Sequence, residues 1–292
     1  MMIKLVVTDM DGTLLSKKEG LTKGNLEAIN KLKENNIEFA IASGRDYFGV
    51  YNVMQQYGVD CEAIVGNGAQ YCLHDGTVLM SAYMNKSVVK DVVEIFAARN
   101  IPYMIFTAQG FYTGYEPSYV RGQFIERNKR KFGATEEEFI SGKSANAPCN
   151  FLKKVNDFDE FLSSDIDIIK VEAFSVDASL IPPTKEILKD IPTIAYLSSF
   201  DDNVEVTDEK AQKGLILEKV IEIKGLTKEE VIVLGDGMND ITLFECFPYS
   251  YAPSNAEETI KNLAYKVVCD CEDDGFKEAI EDMLIHLNVE DK

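Results

Sequence analysis

Histidine is nearly absent: the 292 residues include His74 and His286 and no others. Two isolated imidazoles cannot build a histidine-based zinc site, and they leave almost no material for a Ser–His–Asp triad. Basic residues are in deficit, with 30 Lys and Arg against 49 Asp and Glu and a formal net charge of −19. That balance argues against nucleic acid or an anionic membrane as partner. A phosphorylated small molecule stays compatible, because a local cluster of Lys, backbone amides and a metal decides such binding. The plain reading of the acidity is solubility. No apolar run is long enough to cross a bilayer and no signal-peptide pattern is present, so the cytoplasm is the expected location. The six cysteines (Cys61, Cys72, Cys149, Cys246, Cys269, Cys271) contain no Cys-x-x-Cys pair. Cys269-Asp270-Cys271 lacks a His or Cys partner at zinc-finger spacing, and reduced, partly buried thiols are expected. What remains is ordinary for a soluble globular chain: 46% apolar and 27% charged residues, long enough for one large domain or two.

The chain is organised around its first apolar run. Leu5, Val6 and Val7 suit a strand buried on both faces of a parallel sheet, and the run stops at Asp9-Met10-Asp11-Gly12-Thr13-Leu14. In an open α/β sheet, chemistry collects outside the carboxyl ends of the strands. Side chains at i and i+2 point the same way in extended chain, so Asp9 and Asp11 can address one substrate. Two carboxylates this close need a cation or a shared proton. A solvated turn built from Asp and Gly is the alternative.

Further along, residues 21–36 read as a helix capped by Thr22, and 37–42 as a second buried strand ending in Ser43-Gly44-Arg45. Ser and Gly supply the short donor and close backbone approach that a phosphate needs, or merely a capped turn. Residues 46–57 form a weaker helix and 62–66 a third strand. Asn67-Gly68-Ala69 then turns into a hairpin of 71–73 with 77–80 around Asp75-Gly76. Residues 208–224 read as a helix capped by Asp208, with Leu215, Ile216, Val220 and Ile223 inward; its Lys213 is solvated unless something nearby needs a cation. A fourth buried strand, 231–234, ends in Gly235-Asp236-Gly237-Met238-Asn239-Asp240. Asp236 can complete an oxygen cage for a hard divalent ion and Asn239 can reach a phosphate oxygen. Asp240, one turn on, is placed as an outer ligand or a partner of Lys213.

Between the third and fourth of these strands the pattern changes. A helix around 88–96, a hairpin of 103–107 with 111–113, a mixed polar and aromatic stretch at 119–132, and a linker-like stretch at 142–148 follow one another. A helix at 157–163, a strand at 168–175, a helix at 183–190 and a last hairpin of 193–200 with 204–206 complete it. This reads as a separate α+β module inserted into a doubly wound α/β domain. The expected division is a core of 1–83 with 207–292 and an insert of 84–206. Tyr103, Tyr112, Tyr115 and Tyr119 are candidates for facing a substrate, with packing in the insert's core as the competing use.

Asp9-Met10-Asp11-Gly12-Thr13-Leu14 resembles the first signature of the haloacid dehalogenase-like superfamily. Ser43-Gly44-Arg45, Ala211-Gln212-Lys213-Gly214 and Gly235-Asp236-Gly237-Met238-Asn239-Asp240 resemble the other three. Their order and spacing are similar to the Cof-type branch, which carries a class IIB cap. The resemblance covers the core; over the cap it is one of position and length. It implies a Rossmann-like core and a Mg²⁺-dependent phosphatase acting on small phosphate monoesters. In it, Asp9 is the nucleophile, Asp11 the acid and base, and Asp9, Asp236 and the Asp11 backbone carbonyl hold the metal. Ser43, Lys213, Asn239 and backbone amides near Met10 and Gly44 bind the phosphoryl oxygens. Residues 13–20 would be a small flap beside the nucleophile, with Thr13, Arg45 and Asp240 as supporting residues. Tyr251–Asn255 departs from the family's usual Val-Ala-Met-x-Asn-Ala, because Pro253 and Ser254 replace the usual residues while Asn255-Ala256 survives. A phosphomutase is the alternative, distinguished by whether phosphate is released in stoichiometric amounts. A non-catalytic sensor should have lost one of Asp9, Asp11, Lys213 or Asp236, and none is lost. The implied partner is a small phosphorylated metabolite, and a monomer or weak dimer is expected.

Overall fold

The computed structural model describes residues 2–140, 147–198 and 200–286. Its first elements are β1 (Leu5–Thr8), α1 (Lys23–Glu34), β2 (Glu38–Ala42), α2 (Tyr47–Gln55), β3 (Glu62–Val65), β4 (Gln70–Cys72) and β5 (Val78–Ser81). Then come α3 (Lys86–Ala98), β6 (Tyr103–Thr107), β7 (Gly110–Thr113), α4 (Pro117–Phe132), α5 (Glu136–Ile140), β8 (Leu152–Lys154) and α6 (Phe158–Ser163). They are followed by β9 (Ile168–Phe174), α7 (Ile181–Leu188), β10 (Ile194–Leu197) and β11 (Asn203–Asp208). The chain closes with α8 (Lys213–Lys224), β12 (Val231–Leu234), α9 (Ile241–Cys246), β13 (Tyr249–Pro253), α10 (Glu258–Leu263), β14 (Lys266–Val268) and α11 (Gly275–His286). Two compact units result: Met1–Ala82 with Lys210–Lys292, and Tyr83–Glu209. Among the described residues no helix is long and apolar enough to cross a membrane.

In the first unit the sheet order is β14-β13-β12-β1-β2-β3-β4-β5. The strands from β14 to β3 run parallel, and β4 and β5 close that edge as an antiparallel hairpin. The architecture is the doubly wound α/β sheet expected from the sequence. β1 lies in the middle, Leu5 opposite Val231 on one side and Glu38 on the other. Alternation along it is what fills two cores: Val6 enters the cluster with α1 and α11, Leu5 and Val7 the cluster with α8 and α9. Each such side chain contributes on the order of 1.5–3 kcal/mol by leaving water. Thr22 caps α1 as its sequence suggests, accepting from the Asn25 amide at 3.1 Å.

Two expectations fail locally. Asp208 does not cap a helix; it ends β11 opposite Ile194, and α8 begins only at Lys213. Strand pairing of Thr207 and Asp208 with β10 outweighs the capping preference of a free aspartate. Ile223 is exposed, while Leu217 and Ile221 join Ile216 and Val220 in the buried stripe of α8. The mixed polar and aromatic stretch 119–132, to which the sequence assigns no element, lies in the sixteen-residue helix α4, opened by Pro117 and closed by Gly133 at φ 67°. Its apolar face is too sparse to show in the pattern of the sequence.

The second unit carries a sheet in the order β10-β11-β9-β6-β7-β8. The β6/β7 and β10/β11 hairpins form as expected; Ser199, within the second predicted hairpin, and residues 142–146 of the predicted linker lie outside the described residues. α3, α6 and α7 pack on this sheet through Val92, Phe96, Phe161 and Leu188. Tyr103 is buried in that core and Tyr119 is exposed, the two joined through Tyr115 by ring contacts of 5.4 and 5.6 Å.

Candidate active site

Three parallel strands deliver the site. β1 ends at Thr8, and the next residue, Asp9, still donates its amide to the Leu234 carbonyl of β12 at 2.8 Å. Asp9 is therefore held by the sheet, and it is 5% exposed. Lys213, at the first position of α8, is completely buried and donates to Asp9 Oδ1 at 2.6 Å and to Asp240 Oδ1 at 2.5 Å. The other oxygen of Asp240 accepts from the backbone amides of Asp236 and Gly237 at 3.0 and 3.1 Å. Asp236 in turn accepts the Thr13 hydroxyl at 3.0 Å. Gly12 makes this approach possible: its φ is +88°, and a Cβ there would lie 2.5 Å from Asp236 Oδ2.

Carboxylate oxygens of Asp9, Asp236 and Asp240 lie within 4.8 Å of one another. Burial pushes the Asp9 carboxyl well above its ordinary value, and Asp240 and Asp236 add to this against the pull of Lys213. Asp236 is pushed up to about 7 by burial and then by Asp240. Lys213 stays above the usual lysine range, because the two carboxylates overcome its burial. Three carboxylates thus share one ammonium. An all-oxygen donor set with uncompensated negative charge fits a hard divalent cation.

The remaining residues singled out in the sequence are distributed around this cluster. The Asp11 carboxylate is outside the three-aspartate group; Arg45 grips it with two hydrogen bonds, Nε at 2.7 Å and Nη2 at 2.6 Å. Met10 is fully buried, its carbonyl accepting from the Leu15 amide at 2.8 Å. Ser43 is buried, its amide bonded to the Ile64 carbonyl and its Oγ accepting from the Arg45 amide at 3.2 Å. Gly44 lies against Asn67, where an added Cβ would come within 2.8 Å of Asn67 Oδ1. Asn239 donates to that same Oδ1 at 3.3 Å. Asn67 sits at φ 59°, and with its amide donating to the Ser43 carbonyl at 3.0 Å and its Oδ1 accepting from Asn239 it ties the Ser43-Gly44-Arg45 turn to the 235–240 turn.

A model for haloacid dehalogenase-like hydrolases matches residues 6–280. The chain belongs to that family. The resemblance to its Cof-type branch stands with it. The chain is 25% identical over 288 residues to the phosphatase YwpJ of Bacillus subtilis, covering 97% of this chain and 100% of that one. It is 24% identical to the 5-amino-6-(5-phospho-D-ribitylamino)uracil phosphatase YwtE of the same organism, covering 97% and 98%. A solved haloacid dehalogenase-like hydrolase from B. subtilis superposes with a TM-score of 0.81 at 24% identity, covering 98% and 100%.

Two further contacts in this haloacid dehalogenase-like hydrolase have no clear signal in the sequence. Thr242 Oγ accepts from the Gly214 amide at 2.9 Å, and a Cβ on Gly214 would meet the Thr242 carbonyl at 2.1 Å, so α8 is set close against α9. Asn255 donates to the Gly12 carbonyl at 2.8 Å and accepts from the Cys271 amide at 2.9 Å.

The raised Asp236 pKa gives a pH signature for the metal-free protein. A carboxyl whose folded value lies above its unfolded one contributes stability below about pH 4, lost as pH rises through about 7. Asp236→Asn is neutral throughout, so in chelator its melting temperature should gain on the wild type between pH 4 and pH 7.5. A constant difference across that range would show that Asp236 is not strained by its surroundings.

Proposed function

We propose that this hydrolase is a Mg²⁺-dependent phosphatase of small phosphate monoesters working through an aspartyl phosphate. The supporting observation is the buried Asp9, fixed at the end of β1 and bonded to a fully buried Lys213 beside Asp236 and Asp240. Asp9 attacks phosphorus with an oxygen lone pair, and the ester P–O bond breaks. Asp11 gives its proton to the departing alkoxide, then takes one from the water that opens the acyl phosphate. Arg45 must release Asp11 for that exchange, since both carboxylate oxygens accept hydrogen bonds from its guanidinium. Lys213, the Ser43 hydroxyl, the Asn239 amide and backbone amides near Met10 and Gly44 balance the equatorial oxygens. A bound Mg²⁺ would offset the repulsion between carboxylate and phosphate dianion; Asp9 and Asp236 would hold it, with the Asp11 carbonyl, and Asp240 stands beside them.

The inserted residues 84–206 act as a cap that sets selectivity, and the substrate is a small phosphorylated metabolite of the sugar-phosphate kind, met in the cytoplasm. YwtE is named for a phosphorylated ribityl compound, which supports that class. A phosphate-release assay over sugar phosphates, nucleotides and cofactor phosphates with Mg²⁺ tests the reading. Stoichiometric release supports it, and return of the phosphoryl group to sugar would favour a mutase. Activity should vanish in EDTA, return with Mg²⁺ and be inhibited by Ca²⁺, which is larger and less strictly octahedral. Full activity in EDTA would sink the metal.

A further inference from the structure

The turn that carries Asp11 is moored at several polar points, and one of them is unaccounted for by the chemistry above. Asn255 holds the Gly12 carbonyl at 2.8 Å, and Thr13 reaches Asp236. Asn25, fully buried, donates to the Leu14 carbonyl at 2.9 Å and accepts from the Lys277 amide at 3.1 Å. The remaining mooring is Glu272, in the single helical turn Cys271–Asp273. Its Oε2 accepts the Ser16 hydroxyl at 2.8 Å and its Oε1 the Lys17 amide at 2.7 Å. Ser16 Oγ then accepts from the amides of Lys18 and Glu19, both at 3.1 Å, and Ser16 and Gly20 exchange backbone hydrogen bonds of 2.9 and 3.0 Å. One carboxylate therefore organises the whole hairpin tip. The Lys18 ammonium, 3.8 Å away and largely exposed, adds little.

The anchor is itself anchored. The Glu272 amide is bonded to Asp270 Oδ1 at 3.0 Å, and the preceding Cys271 amide to Asn255, the residue that holds Gly12. Both ends of the segment from Gly12 to Lys17 thus hang on one stretch of chain near the C-terminus. Asp9 does not depend on that mooring, since the sheet and Lys213 hold it. Asp11 sits on the moored turn, its carboxylate touched by Arg45 alone among the hydrogen bonds described.

We propose that Glu272 is a positioning residue for Asp11: by bonding Ser16 and Lys17 it fixes the turn from which Asp11 delivers its proton to the leaving oxygen. This rests on the reading of Asp11 as the proton donor. A misplaced donor matters in proportion to how badly the leaving group needs the proton. Alkoxides need it, and p-nitrophenolate departs almost unaided.

The test compares kcat/KM, which reports through departure of the alcohol, for an alkyl phosphate and for p-nitrophenyl phosphate. Glu272→Ala should lower the alkyl value by about tenfold or more, against about threefold or less for the aryl ester. Glu272→Gln, which keeps an acceptor and the length of the side chain, should recover most of the loss. Amide hydrogen exchange over residues 12–20 should quicken in Glu272→Ala with the rest of the protein unchanged. Asp11→Asn is the control. If Asp11→Asn shows no alkyl-selective loss, the donor reading fails. If it shows one and Glu272→Ala lowers both esters equally, or neither, Glu272 is structural only and the proposal is overturned.

Discussion

Asp9→Asn leaves a folded protein and lowers turnover by at least about 10⁴-fold, the scale on which removal of a covalent nucleophile is felt. The amide has the shape of the carboxylate, and its oxygen still accepts from Lys213, so the packing around β1 survives. What is lost is the anionic lone pair proposed to form the bond to phosphorus. Beryllofluoride, a stand-in for the transferred phosphoryl group, should form an adduct on wild-type Asp9 and none on the variant. The metal-free variant should melt no lower than the wild type. Burial first, and then Asp240 and Asp236, already oppose the charge on Asp9, and a neutral amide removes that opposition. An active Asp9→Asn protein, or an adduct on Asp11, would reverse the assignment of nucleophile and acid.

Lys213→Met carries the largest expected loss of stability. It leaves the carboxylates of Asp9 and Asp240 buried with no cation between them, and breaking such a group from one side costs about 3–5 kcal/mol. Denaturant titration in chelator should show that loss, together with an inactive enzyme. Adding Asp240→Asn to Lys213→Met should restore a good part of the stability and none of the activity, because it removes repulsion without restoring the charge opposite the phosphate. If the double variant is no more stable than the single one, the cluster is not held together by charge. Lys213→Arg should not rescue turnover either: α8 starts within backbone contact of α9 at Gly214, and the completely buried Lys213 leaves no room for a broader head group.

The sequence declared the parts of the site that are short, charged and strand-terminal. Asp9 and Asp236 stand where apolar runs stop, so the continuous run that makes a buried parallel strand also locates its carboxyl end. Partners were harder to see. Arg45 was legible as a supporting residue, yet nothing in the spacing named Asp11 as its mate, since the two lie 34 residues apart, each just past the end of a different strand. Asp240 was placed as an outer ligand or a partner of Lys213; it bonds Lys213 and also shares an oxygen cluster with Asp9 and Asp236. β14 is a three-residue strand at the edge of its sheet, with Val267 exposed in it and exposed Tyr265 just before it, and such an edge gives a weak pattern. The start of α8 was misread because Asp208 has two uses, capping a helix or ending a strand, and only the pairing of β10 with β11 decides between them.

The sheet order has a consequence for how the molecule is born. β1 leaves the ribosome before the other described strands, and one of its two neighbours, β12, is made only after the inserted unit and α8. Thr13 waits 223 residues for Asp236, and Asp9 waits 204 for Lys213. A nascent chain ending before residue 213 therefore exposes one flank of its central strand and leaves Asp9 without the ammonium that offsets its burial. The inserted unit, by contrast, closes its sheet with strands drawn from its own continuous stretch. Synthesis should thus yield a folded insert before a folded frame, with the Asp9–Lys213 cluster assembled last, when the two parts of the divided unit pair.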